Sequence, residues 1–339
     1  MNQVIKKATR IGAGRLGIAP FAAFELFRMD IGDAEEILSL LDACISIIKW
    51  RLRPSAKRRL ETDVLALCTR LRAVVMVDYG GKMPELQDHL CALMSSMRKE
   101  SALLLPLRIM VIEDMIYMVH VEGIAELSNL SLEQQLHFVD LEVDPHQLLL
   151  QTNQTPSMSE FVSVQKLFSS IFPCDAVVDT THEATPLSVN PRVEVSEYNN
   201  NIVSIAETST SQPCGIFDLT SFLKDTQITI PGLNGWLLGY PVVYLFRKEH
   251  AADAVYNLST KCLHIFKIVI CRRQTPSRKS HEEELLSFSV PYELSCNRDK
   301  EIWAKAFFAH LLAKFETCKQ VWSSIRLEVT ECFPQAIVL

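Results

Sequence analysis

The sequence predicts an α/β protein: a single mixed β-sheet flanked by helices, with an antiparallel C-terminal portion and a long C-terminal helix. Three observations carry that expectation. In the first half, segments with helical apolar spacing alternate with short apolar runs bounded by turn residues, the pattern of helices laid on a sheet. The last third holds three apolar runs joined by connections short enough for antiparallel neighbours. Hydrophobic residues make up 48% of the 339 and charged residues 22%, enough to fill a packed core and too apolar for a chain disordered throughout.

The elements follow in order. Ile37, Leu38, Leu40, Leu41, Cys44, Ile45, Ile47 and Ile48 recur at helical spacing and predict a helix over 34–50, with Asp33 as its cap. A second helix is predicted over 55–72, capped by Ser55, with Leu60, Val64, Leu65, Leu67 and Cys68 on its apolar side. Residues 73–77 are apolar and mostly β-branched and run into Asp78, Tyr79, Gly80 and Gly81, which reads as a buried strand ending in a turn. Helix returns over 84–98. Residues 107–112 and 115–121 read as strands, either a hairpin around Glu113 and Asp114 or one long strand. A short helix near 131–137 leads to a strand at 138–143. Pro145 and Pro156 mark a loop over 144–158, and 159–171 is again an amphipathic helix before a strand at 176–178. Residues 179–232 are rich in Thr, Ser, Asn and Pro and read as an irregular polar insertion, either a lid or disorder, crossed by short strands at 202–205 and 228–230. Strands at 242–246, 263–271 and 285–290 precede a helix from 299 to about 325. That helix is expected to bury Trp303, Phe307, Phe308, Leu311, Leu312, Phe315 and Trp322 on one side. The domain reading is a basic extension over 1–33 and one α/β domain over 34–330.

Several function classes fall away. The formal net charge is −6, so the overall charge does not favour nucleic acid. None of the ten cysteines forms a Cys-x-x-Cys pair, and several sit in apolar runs, as reduced structural thiols do. Neither a secretory signal nor a stretch of roughly 18 uninterrupted apolar residues is present. The expected location is therefore intracellular, in cytoplasm or nucleus. The alternative is mitochondrial: the segment before Glu25 carries Lys6, Lys7, Arg10 and Arg15 and no acid. Signatures of serine hydrolases, phosphate-loop enzymes and zinc peptidases are missing.

Gly12, Gly14 and Gly17 match the dinucleotide-binding spacing, but the preceding residues carry three cations and Pro20 follows. No second strand lies about twenty residues on, so the match is a coincidence of spacing. Asp78, Asp179 and His182 are the candidate catalytic residues. Each follows a predicted strand, where α/β sheets bind ligands, and each equally suits a turn or a loop. Loop charges at 272–279 and 281–284 read as solvated, and no metal ligand set is found.

The most distinctive segment is 234–246, Asn-Gly-Trp-Leu-Leu-Gly-Tyr-Pro-Val-Val-Tyr-Leu-Phe. Asn234, Trp236 and Tyr240, with Gly80 and Gly81, are candidate pocket-lining residues. The same segment equally suits a tight connection beneath the sheet. Together with the runs at 254–259 and 287–292 and the strand ending at Asp78, this segment resembles the signature of an uncharacterised eukaryotic protein family. That family's human member bears a chromosome 1 open-reading-frame label. The resemblance spans roughly 35–330 and implies no catalytic residues, because none is assigned in that family.

The expected protein is thus a soluble intracellular one, a non-catalytic interaction or scaffold protein. The alternative is a divergent enzyme with an acidic, metal-assisted site at strand ends. Cofactor and partner are left open: a protein partner fits, whereas neither nucleic acid nor membrane is expected.

Overall fold

A computed structural model describes residues 29–130, 136–142, 147–148, 156–173, 216–273 and 281–336. Asp179, His182, the N-terminal glycines and the predicted strands at 176–178 and 202–205 lie outside them.

Helix α1 (Ile31–Ile47) starts earlier than predicted. Its cap is Asp30, whose side chain accepts from the Asp33 backbone while Asp33 reaches back to the Asp30 backbone, a reciprocal capping box. Helix α2 (Pro54–Cys68) follows. Ser55 is not its cap: Arg53 holds that position and offers no side-chain bond to the first turn. Strand β1 (Val74–Met76), helix α3 (Glu85–Glu100) and strands β2 (Leu107–Ile112) and β3 (Met115–His120) come next. The hairpin alternative holds for β2 and β3, with Glu113 in the left-handed region at φ 55°. The chain then enters α4 (Val121–Asn129), which the sequence reading left unassigned. Strands β4 (His137–Asp140) and β5 (Gln147–Leu148) precede helix α5 (Pro156–Ile171).

After β6 (Ile216–Asp218) come two helices, α6 (Thr220–Leu223) and α7 (Ile230–Leu237), so the expected strand at 228–230 is not formed. The chain continues through β7 (Val242–Leu245), α8 (Ala251–Ser259), β8 (Leu263–Arg272) and β9 (Glu282–Pro291). Helix α9 (Ile302–Cys318) ends earlier than predicted, and residues to Cys332 form an eleven-residue strand, β10 (Trp322–Cys332). Of the residues assigned to the buried side of that helix, Trp303 and Leu311 are buried, Phe307, Phe308 and Phe315 are half-buried, and Leu312 is exposed, while Trp322 is buried but belongs to β10 and not to the helix.

The α/β class holds, and so does an antiparallel C-terminal portion. The strands, however, form three sheets rather than one: β1-β3-β2-β6, β10-β8-β9 and β5-β4-β7. Strand β7 pairs in parallel with β4 instead of neighbouring β8. In the first sheet the period of two divides the core. Ile109, Val111, Ile116 and Met118 face one apolar cluster with α1, α2 and α3, while Met110, Ile112, Tyr117 and Val119 face another with α4, α5 and α7. Burial on both faces explains why these strands read as continuous apolar runs. Over the last sheet, Trp303 of α9 packs against Phe266 at 4.9 Å.

The segment 234–246 is the end of α7, a cap and a strand. Gly239 adopts φ 72° and donates to Trp236 O, and Tyr240 donates to Gly235 O. This is the paired closure of a helix by a left-handed residue, which glycine adopts without steric cost. Pro241 then leads into β7.

Candidate functional site

Two loops and one helix start build an open cleft of about 570 Å³, lined by Arg51, Arg53, Ser55, Ala56, Arg59, Tyr79, Gly80 and Gly81. The loop between α1 and α2 supplies Arg51 and Arg53, and α2 supplies Ser55, Ala56 and Arg59. The segment leaving β1 supplies Tyr79 and both glycines. The indole of Trp50 holds the loops together: its Nε1–H donates to Gly80 O at 2.8 Å, and its ring stacks on His89 with centroids 5.3 Å apart. Gly80, at φ 86°, passes under that indole so closely that a Cβ would lie 2.8 Å from Trp50 and 2.7 Å from Leu52.

Charge is distributed unevenly here. Along α2, Lys57 pairs with Asp42 at 2.7 Å, Arg58 with Glu283 at 3.3 Å and Arg59 with Asp63 at 3.2 Å. Arg51 and Arg53 are exposed and make no ion pair among the described residues, and no Asp or Glu lines the cleft. The backbone N–H groups of Ser55 and Ala56, in the first turn of α2, also have no acceptor there. The helix dipole adds further positive potential at that point.

Beneath the cleft lies Asp63, fully buried. Its Oδ2 accepts from the Tyr79 hydroxyl at 2.7 Å and from Arg59 Nε at 3.2 Å, while its Oδ1 has no hydrogen-bond partner. Burial raises the Asp63 carboxyl above its ordinary value, and Arg59, Arg72 and the Tyr79 bond pull it back down. Tyr79 is itself raised well above the usual phenol range by burial and by Asp63. Arg59 donates to Glu284 O of β9, and buried Arg72 donates to Leu285 O at 2.9 Å and Leu238 O at 3.2 Å. The cluster thus ties the cleft floor to the last sheet and to the end of α7.

The structure brings only part of the predicted set here. Gly80 and Gly81 line the cleft. Asp78 is exposed and off its wall. Asn234 accepts from Tyr117 at 2.7 Å through Oδ1 and places its Nδ2 3.9 Å from Met76 Sδ. Trp236 is 1% exposed and packs edge-to-face on Phe168 at 5.1 Å, and Tyr240 packs on Phe288 at 5.5 Å. Trp236 fills the core, while Asn234 and Tyr240 are half-buried, Tyr240 packing against it, and none of the three lines the cleft. Among the described residues, no group of three His, Cys, Asp or Glu is placed to hold a metal ion, and no helix is long and apolar enough to cross a membrane. None of the eight described cysteines is in a disulfide.

The reading by motif missed the arginines. Residues 49–59 carry six cations and no acid, straddling the start of a helix, and that run was the available signal.

The family described as a domain of unknown function, DUF4504, matches residues 42–339. The chain belongs to the DUF4504 family. Neither a curated protein nor a solved structure matches the chain. The DUF4504 match takes in every residue that lines the cleft.

Proposed function

We propose that this DUF4504 protein is a non-catalytic binding protein that captures an anionic group in the cleft at the start of α2. The observation that carries the reading is the pair Arg51 and Arg53, which line a cleft with no carboxylate to neutralise them among the described residues. Elsewhere on the same helix, each of three consecutive cations has a carboxylate partner. A guanidinium is a planar fork suited to planar or tetrahedral oxyanions. The same segment 234–246 supports reading the family as the one with the human chromosome 1 open-reading-frame member, and the lack of a disulfide among the described cysteines supports a reducing compartment.

The test is thermal unfolding in phosphate and in chloride at matched ionic strength, for the native chain and for R51Q/R53Q. Phosphate stabilises proteins generally by exclusion, so the comparison between chains is what decides. A larger rise in the native chain supports anion capture. Equal rises in both chains would refute it.

A further inference from the structure

We infer that the anion is a phosphomonoester carried on a small molecule, seated between Arg51, Arg53 and the first turn of α2, with the rest of the molecule lying over Tyr79 and the Gly80–Gly81 backbone. This rests on the reading of the cleft as an anion site and adds the chemistry of the ligand.

Three features select that class. The first is charge. Arg59 is already balanced by Asp63 from below, which leaves two guanidinium groups on the wall without a counter-charge among the described residues. Two unmatched positive charges suit a group of nearly two negative charges. A phosphomonoester has that charge at neutral pH, and a carboxylate has half of it. The second is donor geometry. Two forked guanidinium groups and the unpaired N–H groups of Ser55 and Ala56 supply more donors than two carboxylate oxygens use, and they suit the three terminal oxygens of a phosphate. The Ser55 hydroxyl, which makes no hydrogen bond among the described residues, adds another. The third is size. A cleft of about 570 Å³ lies in the range of sites for whole small molecules rather than a lone ion.

The opposite wall says what the body of the ligand meets. The Tyr79 hydroxyl is committed to Asp63 at 2.7 Å, so Tyr79 presents its ring to the cleft and not a polar tip. Gly80 and Gly81 add backbone to that wall, with the Cβ side of Gly80 covered by Trp50 and Leu52 and that of Gly81 turned to Leu86, so the Tyr79 ring is the flat surface on offer. A ring attached to a phosphate, a sugar or a base, fits such a wall.

The experiment is isothermal calorimetry on the full chain with inorganic phosphate, ribose 5-phosphate, adenosine monophosphate and the dicarboxylate malonate. At least one of the two phosphomonoesters should bind about tenfold or more tightly than inorganic phosphate, and malonate about tenfold more weakly than phosphate. R51Q/R53Q should lose all of this binding with an unchanged melting curve in chloride, since both side chains are exposed. R58Q, whose guanidinium faces Glu283 and not the cleft, should bind as the native chain does. Malonate binding as tightly as the phosphomonoesters would overturn the phosphate assignment and leave the anion site intact. Inorganic phosphate binding as tightly as both phosphomonoesters would overturn the small-molecule body. No binding by any of the four would remove the anion site itself.

Discussion

The Tyr79 hydroxyl donates to Asp63 Oδ2 across 2.7 Å, joining the loop that leaves β1 to the middle of α2. The contact separates two kinds of residue around the cleft. Asp63, Tyr79 and Arg59 form a polar unit centred on the buried Asp63 Oδ2, whereas Arg51 and Arg53 make no ion pair among the described residues. The unit should therefore govern stability, and the two arginines should govern binding.

Replacing Tyr79 by Phe removes one of the two donors to a buried carboxylate. The expected loss is about 1.5–3 kcal/mol of stability, the usual worth of a hydrogen bond to a charged group. The urea midpoint measures it. R51Q or R53Q, at exposed positions, should change the same midpoint by no more than about 0.5 kcal/mol. A tyrosine change with no effect would mean that Asp63 is held by Arg59 alone.

Gly80→Ala tests how the cleft is shaped. At φ 86° an alanine carries the left-handed penalty of about 1–2 kcal/mol, and its Cβ would in addition overlap Trp50 and Leu52. Denaturant unfolding should show a loss of at least that penalty. A neutral substitution would show that the indole is free to move away from the loop.

His120 should make stability fall in mild acid. Its Nδ1 accepts from Gly123 N at 3.2 Å and caps α4, and burial, with Arg70 nearby, lowers its pKa from 6.5 to about 4. The unfolded chain takes up the proton near 6.5 and the folded chain only near 4. The cap's contribution is therefore intact above pH 6.5, declines as pH falls through that window and is gone below about 4. The loss is roughly 3 kcal/mol, from about 1.4 kcal/mol for each pH unit of the displacement. His120→Asn keeps a capping side chain and does not titrate, so its urea midpoint should vary less between pH 7 and 4.5. Equal pH dependence in both chains would assign the acid sensitivity to other groups.

Trp236→Ala should cost about 3–5 kcal/mol, as truncation of a buried aromatic does. The tryptophan packs on Phe161 and Phe168 and has no cleft surface. A mild effect below about 1 kcal/mol would mean that the segment lines a cavity after all.

That last segment shows what the sequence can and cannot say. Gly235, Trp236, Gly239 and Pro241 are unusual because they encode a helix end, a left-handed cap and a strand start within a few residues. Their rarity is structural, and sequence inspection alone cannot separate this from a pocket. Strands β2 and β3 were legible because both are mostly apolar runs either side of two acids, although the sequence left a hairpin and one long strand both open. The last strand was not. Ile325, Leu327 and Val329 alternate as a strand should, yet neither glycine nor proline directly follows Cys318 to stop α9, so the expected helix runs on to about 325 and takes in the start of the strand. Splitting into three sheets was hidden for another reason: β7 pairs with β4 across a hundred residues, and local pattern carries no information on partners. The cleft was missed because motif reading looks for carboxylates, histidines and glycine loops. Here the informative feature is a pair of arginines in a cleft without counter-charges among the described residues, which stands out only once Lys57, Arg58 and Arg59 are seen paired in three dimensions.

The measurement that tests the central claim most directly is a crystal grown with tungstate, a heavy tetrahedral dianion, and examined for anomalous scattering. The account predicts a peak in the cleft within hydrogen-bonding reach of the Arg51 and Arg53 guanidinium groups and of the Ser55 and Ala56 backbone N–H groups. An empty cleft, open to solvent in that crystal while tungstate occupies other sites, would contradict it.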